Sequence, residues 1–255
     1  MNRFPASASI LACAGPRARP VAFAYASALV VWLGGCGGGG STSGPSAPAT
    51  ATSAPAVNVA AAWHNVLTTR ASWSTTGTGP RGNYEEDLSL APGSAATFAV
   101  TGTAGSTSQR TIQEALNGGA FTTTGVTVYF NSDTPFGSAF SDGSCSHYQP
   151  PLLPFPPLGP IGSSGPLGIS IASNGCPSLA ILTLFFLVVT TDSWSVESDS
   201  GATLFCVNSS STDLLGNNLA RTSICIETAA DGSFGPKARL TRAQASTGTI
   251  TTRNF

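Results

Sequence analysis

The sequence predicts an all-β fold: a single antiparallel β-sandwich or barrel-like domain, stapled by disulfides and carrying at most one or two short helices. Three observations predict it. Charged residues make up 9% of the chain, against about a quarter in an average globular protein. Mean hydropathy is only +0.16, so Thr, Ser, Asn and Gly supply the polar surface. Exposed helix faces need Glu and Lys, and Lys237 is the only lysine. Beyond the first 70 residues, apolar side chains recur with period two between clusters of Gly, Asn, Asp, Ser and Pro, the pattern of short strands joined by turns. The same region holds four cysteines, Cys145, Cys176, Cys206 and Cys225, an even number suited to two disulfides.

Arg3, Arg17 and Arg19 precede a thirteen-residue uncharged apolar stretch from Val21 to Leu33. That length suits the core of an export signal and is short of the roughly 20 residues a bilayer-spanning helix needs. It ends in Leu33-Gly34-Gly35-Cys36, which resembles the lipobox of bacterial lipoproteins. The resemblance implies a signal peptide over residues 1–35 and a diacylglycerol on the thiol of Cys36, which would become the first residue. Gly37 after the cysteine would imply sorting to the outer membrane. Residues 36–57 are rich in Gly, Ser, Pro and Ala and are expected to form a disordered tether, because they cannot bury enough apolar surface to offset ordering. The lipobox followed by a polyglycine run resembles lipid-anchored envelope lipoproteins of Gram-negative bacteria. Export implies an oxidising compartment, which strengthens the expectation of disulfides.

The remaining segment, 58–255, is the extracytoplasmic domain. Val59 to Leu67 reads as a short helix with Trp63 and Leu67 on one face. Strands are expected around Leu88 and Leu90, Phe98 and Val100, Val126 to Phe130, Ile169 and Ile171, and Ile224 and Ile226. Thr111-Ile-Gln-Glu114 matches a capping box with Gly118 as a stop, which predicts a helical turn over 111–117. Ser178 to Val189 is the most apolar stretch of the domain and reads as a core strand buried on both faces. The proline-rich run 149–160 must be extended. It would serve as a rigid crossover or, alternatively, as a recognition arm presenting Leu152, Leu153, Phe155 and Leu158. Trp73-Ser74 and Trp194-Ser195, with Thr124 to Val128 and Thr222 to Ile226, raise the possibility of a worn internal duplication.

Sequence order suggests Cys145 with Cys176 and Cys206 with Cys225, one of three possible connectivities. Each closed loop would contribute about 3 to 4 kcal/mol in the chain-entropy account. Of eleven basic residues, three precede the apolar signal, leaving eight against twelve acids. A nucleic-acid-binding face is therefore not expected. The only histidines are His64 and His147, too few for a histidine-rich metal site, and the sequence implies neither metal nor other cofactor. Cys145 and His147 have a spacing that a nucleophile and its base can share, but a disulfide is the plainer use of the thiol. The acids Glu85, Glu86, Asp87, Asp142, Asp192, Glu197 and Asp199 raise glycoside hydrolysis as a rival. Glu85 and Asp87 more plainly form an exposed, solubilising strand edge.

The function expected from these features is that of a non-enzymatic envelope module for binding, assembly or surface display, anchored through Cys36, with an envelope protein or glycan as the partner. Two alternatives stand beside it. One is an envelope glycan hydrolase using carboxylates such as Glu85, Asp192 or Glu197. The other is an adhesin or inhibitor acting through the loop 149–160.

Overall fold

The computed structural model describes residues 55–149, 154–173, 175–176 and 188–255. A short strand β1 (Ala56–Val57) leads into helix α1 (Val59–Thr68). Six strands follow: β2 (Ala71–Gly79), β3 (Gly82–Phe98), β4 (Thr103–Leu116), β5 (Thr122–Asn131), β6 (Thr134–Phe140) and β7 (Cys145–Gln149). After the two-residue β8 (Gly159–Pro160) come β9 (Ser164–Ser173), β10 (Val188–Asp199), β11 (Ala202–Thr212), β12 (Asn218–Thr228), β13 (Phe234–Gln244) and β14 (Thr249–Asn254). β2 to β7 and β9 to β14 form one twelve-stranded antiparallel sheet in chain order, while β8 leaves it to pair with β1. The sheet curls into a nearly closed up-and-down barrel.

Closure is made by side chains, since the terminal strands β2 and β14 have no ladder between them. Trp73 on β2 donates its indole N–H to the carbonyl of Gly235 on β13 at 3.3 Å. Trp73, Leu88 and Leu90 pack against Ile224, Ile226 and Leu240 from the far end of the sheet. Beside this apolar seam the fully buried carboxylate of Glu86 on β3 is held by Arg242 of β13 and by Arg253 of β14, the latter at 3.2 Å. Glu114 lies 3.7 Å from both arginines, and the Arg253 guanidinium stacks 3.6 Å from the centre of the Tyr84 ring. Burial raises the Glu86 carboxyl above its ordinary value and Glu114 adds to the rise, while Arg242 and Arg253 oppose it.

The helix forms as the sequence predicts, and the barrel explains its position. Asn58 caps it, accepting from the Ala61 N–H at 3.0 Å, while its own N–H donates to Ala230 at 2.9 Å. Asn65 donates to the Gly232 carbonyl at 2.9 Å, and Trp63 donates its indole N–H to the Asp133 carbonyl at 2.8 Å. Two strand-connecting turns of one barrel end thus grip the helix. Gly232 has φ +93, and a Cβ there would come within 2.7 Å of Ala61, so both backbone and space require glycine. Val59, Trp63 and Leu67 face inward with Phe130, Leu167, Trp194, Val196 and Phe205, so α1 plugs that end.

The disulfides are Cys145–Cys176 and Cys206–Cys225. The second links directly opposed residues of β11 and β12 and is buried on the outer wall with Ala202 and Leu204. Several expectations require correction. Residues 111–117 form no helical turn: β4 runs through Leu116, bonded on both sides to β3 and β5. The ladders outweigh a capping box that by itself offers only local hydrogen bonds. The strand holding Glu85 to Asp87 is no edge, because β3 lies between β2 and β4. In β9 the phase is reversed from that of a simple core strand: Ser170 is buried and Ile169 is exposed. The duplication has no single geometric counterpart, since Trp73 and Trp194 lie on strands seven places apart in the antiparallel order and therefore run oppositely, whereas β5 and β12 run alike. The signal, Cys36 and most of the tether lie outside the described residues, as does 178–187 of the apolar run; Val188 and Val189 begin β10. Ala56 and Val57, read as tether, are already strand.

Glu86→Gln is expected to destabilise the domain by about 3 to 5 kcal/mol, because two arginines lose a buried counter-charge. Urea denaturation of Glu86→Leu, Arg253→Met and the double variant measures the coupling. The double variant should cost less than the sum of the singles, and strict additivity would show that the cluster does not act as a unit.

Candidate functional site

The inward faces of the strands carry two kinds of surface. Around the helix they are apolar; beyond it they turn polar, and a cavity of about 740 Å³ remains. Trp63, Val66 and Leu67 of α1 line the cavity on one side. Leu90, Ile112, Val126, Val128, Val207 and Ile224 contribute an apolar wall, and hydroxyls from Ser138, Ser146, Ser170, Thr190 and Ser209 a polar one. The volume falls in the range of small-molecule sites, roughly 300 to 1,000 Å³, where a few polar groups converge in a largely apolar pocket.

Three functional side chains enter this space from different strands. On β4, Ser108, Arg110 and Ile112 all line the cavity, as period two requires. Tyr148 enters from β7. Asp192 enters from β10, five places around the sheet from β4, at a register shift between Asp192 and Ser193. The extra residue of that shift is Leu167 on β9, so β9 is the strand that bends, while Asp192 keeps the inward phase of Trp194 and Val196. The Ser209 hydroxyl donates to the Asp192 carboxylate at 2.6 Å, and Thr190 shares a hydroxyl contact of 2.9 Å with Ser211.

The electrostatics follow from enclosure. Burial pushes the Asp192 carboxyl above the ordinary carboxylate range, against the Ser209 hydrogen bond, the Arg110 charge and the Tyr148 hydroxyl. Burial, helped by the Asp192 charge, pushes the Tyr148 phenol upward, so it stays a neutral donor at physiological pH. Burial also lowers Arg110, opposed by Tyr148 and Asp192, yet a guanidinium remains charged throughout the physiological range. Among the described residues Arg110 enters no ion pair. By contrast Arg242, which also lines the cavity, is engaged with Glu86 and Glu114.

The structure separates the acids singled out in the sequence. Asp192 is in the cavity. Glu85 is exposed. Glu197 and Asp199 bind Arg239 on the outer wall, where Ser195 also donates to Glu197 at 2.9 Å. Asp142 belongs to a turn closed by Ser144 at 2.6 Å. No two of the proposed hydrolytic carboxylates Glu85, Asp192 and Glu197 share the pocket. Glu197 lies near the sulfurs of Cys206 and Cys225, but those sulfurs are joined to each other. Cys145 is likewise disulfide-bonded, so Cys145 and His147 form no nucleophile and base. His64 pairs with the Asp133 carboxylate at 2.9 Å on the helix side of the barrel.

In the proline-rich run, Phe155 turns inward onto Trp63 with ring centroids 5.6 Å apart and lines the cavity with Pro154, while Leu158 is exposed. Leu152 and Leu153 lie outside the described residues. The run is therefore part wall and part crossover. At the barrel end opposite α1, Phe121, Leu214, Leu215, Leu219 and Ile250 stand exposed on strand-connecting turns or just beside them. Arg110 and Tyr148 went unnoticed in the sequence. Arg110 has the inward phase of Ser108 and Ile112, but the capping-box pattern assigned its neighbours to a helix; Tyr148 was overshadowed by the adjacent cysteine and histidine. No protein-family model matches the chain, and no curated protein or solved structure matches it either.

The raised Asp192 carboxyl fixes a pH dependence. A carboxyl raised on folding stabilises the native state in its protonated form, fully below the ordinary carboxylate range, and that contribution is lost as pH rises through the native value. The Asp192→Asn variant should therefore gain stability relative to the parent as pH is raised through this window. Denaturant midpoints measured across pH test this; a constant difference between the proteins would contradict the shift.

Proposed function

We propose that the chain is a non-enzymatic binding module of the cell envelope, moored by lipid on Cys36 and holding a small amphiphilic molecule inside its barrel. The cavity carries this reading: about 740 Å³ bounded by α1, with an apolar wall and a convergent set of hydroxyl, carboxyl and guanidinium groups. A core serving stability alone would be close-packed, and buried polar groups cost free energy unless they find partners. Most outer faces of the barrel strands present Ser, Thr, Asn and Gln, as with Ser72, Ser74, Thr127, Ser193 and Asn208, whereas a membrane-spanning barrel presents an apolar band outward. No helix among the described residues is long and apolar enough to cross a membrane. A lipid on Cys36 would place such a domain beside the membrane, and the motif around that cysteine supports outer-membrane sorting in a Gram-negative envelope. Scattered acids favour binding over glycan hydrolysis, and the inward turn of Phe155 favours the interior over the proline-rich surface.

Two measurements test the two parts of this proposal. The soluble domain should bind Nile red with a blue-shifted emission, and Val126→Trp or Ser170→Trp, which fill the cavity, should abolish that signal while the folded far-ultraviolet dichroism is kept; unchanged binding by both folded variants would place the dye elsewhere. In the envelope, Cys36→Ser should release the protein from membranes and block processing, whereas the parent should show an acylated Cys36 by intact mass. A Ser variant that stays membrane-bound and is processed normally would remove the anchor.

A further inference from the structure

We propose that the barrel interior selects a single-chain monoanionic amphiphile, its carboxylate head paired with Arg110 and its hydrocarbon chain lying along the apolar wall toward the helix. The assignment rests on the cavity being a ligand site and adds the chemical class. Arg110 is the guanidinium in the cavity that no described carboxylate engages in an ion pair. Arg110 is half-buried on β4, where a charge lacking a direct ion pair costs free energy, and a planar guanidinium matches a carboxylate through two parallel hydrogen bonds. The Ser138 and Ser146 hydroxyls on neighbouring strands line the same space, beside the Tyr148 phenol that bonds to Asp192. From there Val126, Val128, Ile112, Leu67 and Trp63 continue the lining as an apolar surface, which would take a chain and reject a second charged end.

The head carries one negative charge because of Asp192. That carboxyl accepts from the Ser209 and Tyr148 hydroxyls and feels the Arg110 charge. The other charged groups lining the space are Arg242, engaged by Glu86 and Glu114, and Asp133, engaged by His64. Among the described residues Arg110 is the cavity cation that enters no ion pair, and an ionised Asp192 opposes a ligand anion. Protonated Asp192 removes that repulsion and becomes a donor, so anion binding should take up a proton and weaken as pH rises.

Laurate, dodecanol and dodecyltrimethylammonium share one chain length and differ in head charge, and competition of each with Nile red in the parent protein tests the proposal without any substitution. Laurate is expected to bind about tenfold or more tighter than the alcohol, the scale of one charge-assisted hydrogen-bonded contact, with the ammonium weakest. Arg110→Gln should bring laurate to the level of dodecanol while leaving dodecanol unchanged, and Arg110→Lys should restore part of the difference. Asp192→Asn should flatten the pH dependence of laurate binding above the range where laurate itself titrates. Equal binding of laurate and dodecanol, or preference for the ammonium, would overturn the anionic class while leaving the cavity as a binding site. If none of the three displaces the dye from a parent protein that binds it, a single-chain occupant is ruled out. Absence of dye binding altogether defeats the broader reading instead.

Discussion

The barrel depends on a contact between residues distant in the chain: the Glu86 carboxylate of β3 enclosed by Arg242 and Arg253 from β13 and β14. An up-and-down sheet of twelve strands forms almost entirely from neighbours in sequence, so its local ladders specify a curved ribbon without specifying where its ends meet. Trp73, Leu88 and Leu90 against Ile224, Ile226 and Leu240 supply non-directional adhesion at that meeting. The ion cluster adds register, because buried charges tolerate few alternatives: a slip of one residue would move Glu86 to the opposite face. Its value is specificity more than net free energy, since the desolvation that raises Glu86 opposes the attraction of its arginines.

The helix and the disulfides constrain the same ribbon. α1 is gripped by the turns at Asp133 and Gly232, which come from opposite halves of the sheet, so it pulls two distant hairpins toward one axis. Cys206–Cys225 fastens adjacent strands. Cys145–Cys176 instead spans the longer connection containing β8 and β9, with 31 residues of separation, where the chain leaves the simple meander and the loss of unfolded-state freedom is greater. A domain with so few charged residues has little electrostatic reserve outside these devices.

Much of the fold was legible because period two is a local property. The strands around Leu88, Val126 and Ile224 and the helix bearing Trp63 and Leu67 could be read from spacing and neighbours, and the even count of domain cysteines pointed to two disulfides whose pairing sequence order suggested without deciding among three connectivities. The choice of a barrel was less legible: closure depends on Glu86 meeting arginines more than 150 positions later, and no local pattern distinguishes Glu86 from the adjacent Glu85 beyond their opposite phase. The site was partly legible. Asp192 stood out as an acid in a β-rich segment, and it shares the inward phase of Trp194 and Val196 on β10, but only the closed sheet shows that this phase opens on a cavity and not on a packed core. Arg110 was obscured by Thr111 to Glu114, where a favourable capping pattern competes with the ladders of two neighbouring strands. Ile169 and Ser170 show a related limit: in a barrel with a polar cavity, the serine face can be the inside.

The number of strands explains why the inside can be polar at all. Around eight strands, a barrel is narrow enough for its own inward side chains to fill, and diameter grows with every strand added. Twelve strands enclose more space than the side chains of a single sheet can occupy. Here α1 and its apolar cluster fill the end held by Asp133 and Gly232, and the helix stops at Thr68, leaving the remainder as the cavity containing Arg110, Tyr148 and Asp192. Packing density therefore constrains the plugged half, while the open half can accommodate polar residues suited to a ligand. The same length of helix governs both: a longer α1 would complete the core and eliminate the space, and a shorter one would expose Phe205, Val196 and Trp194 to the cavity.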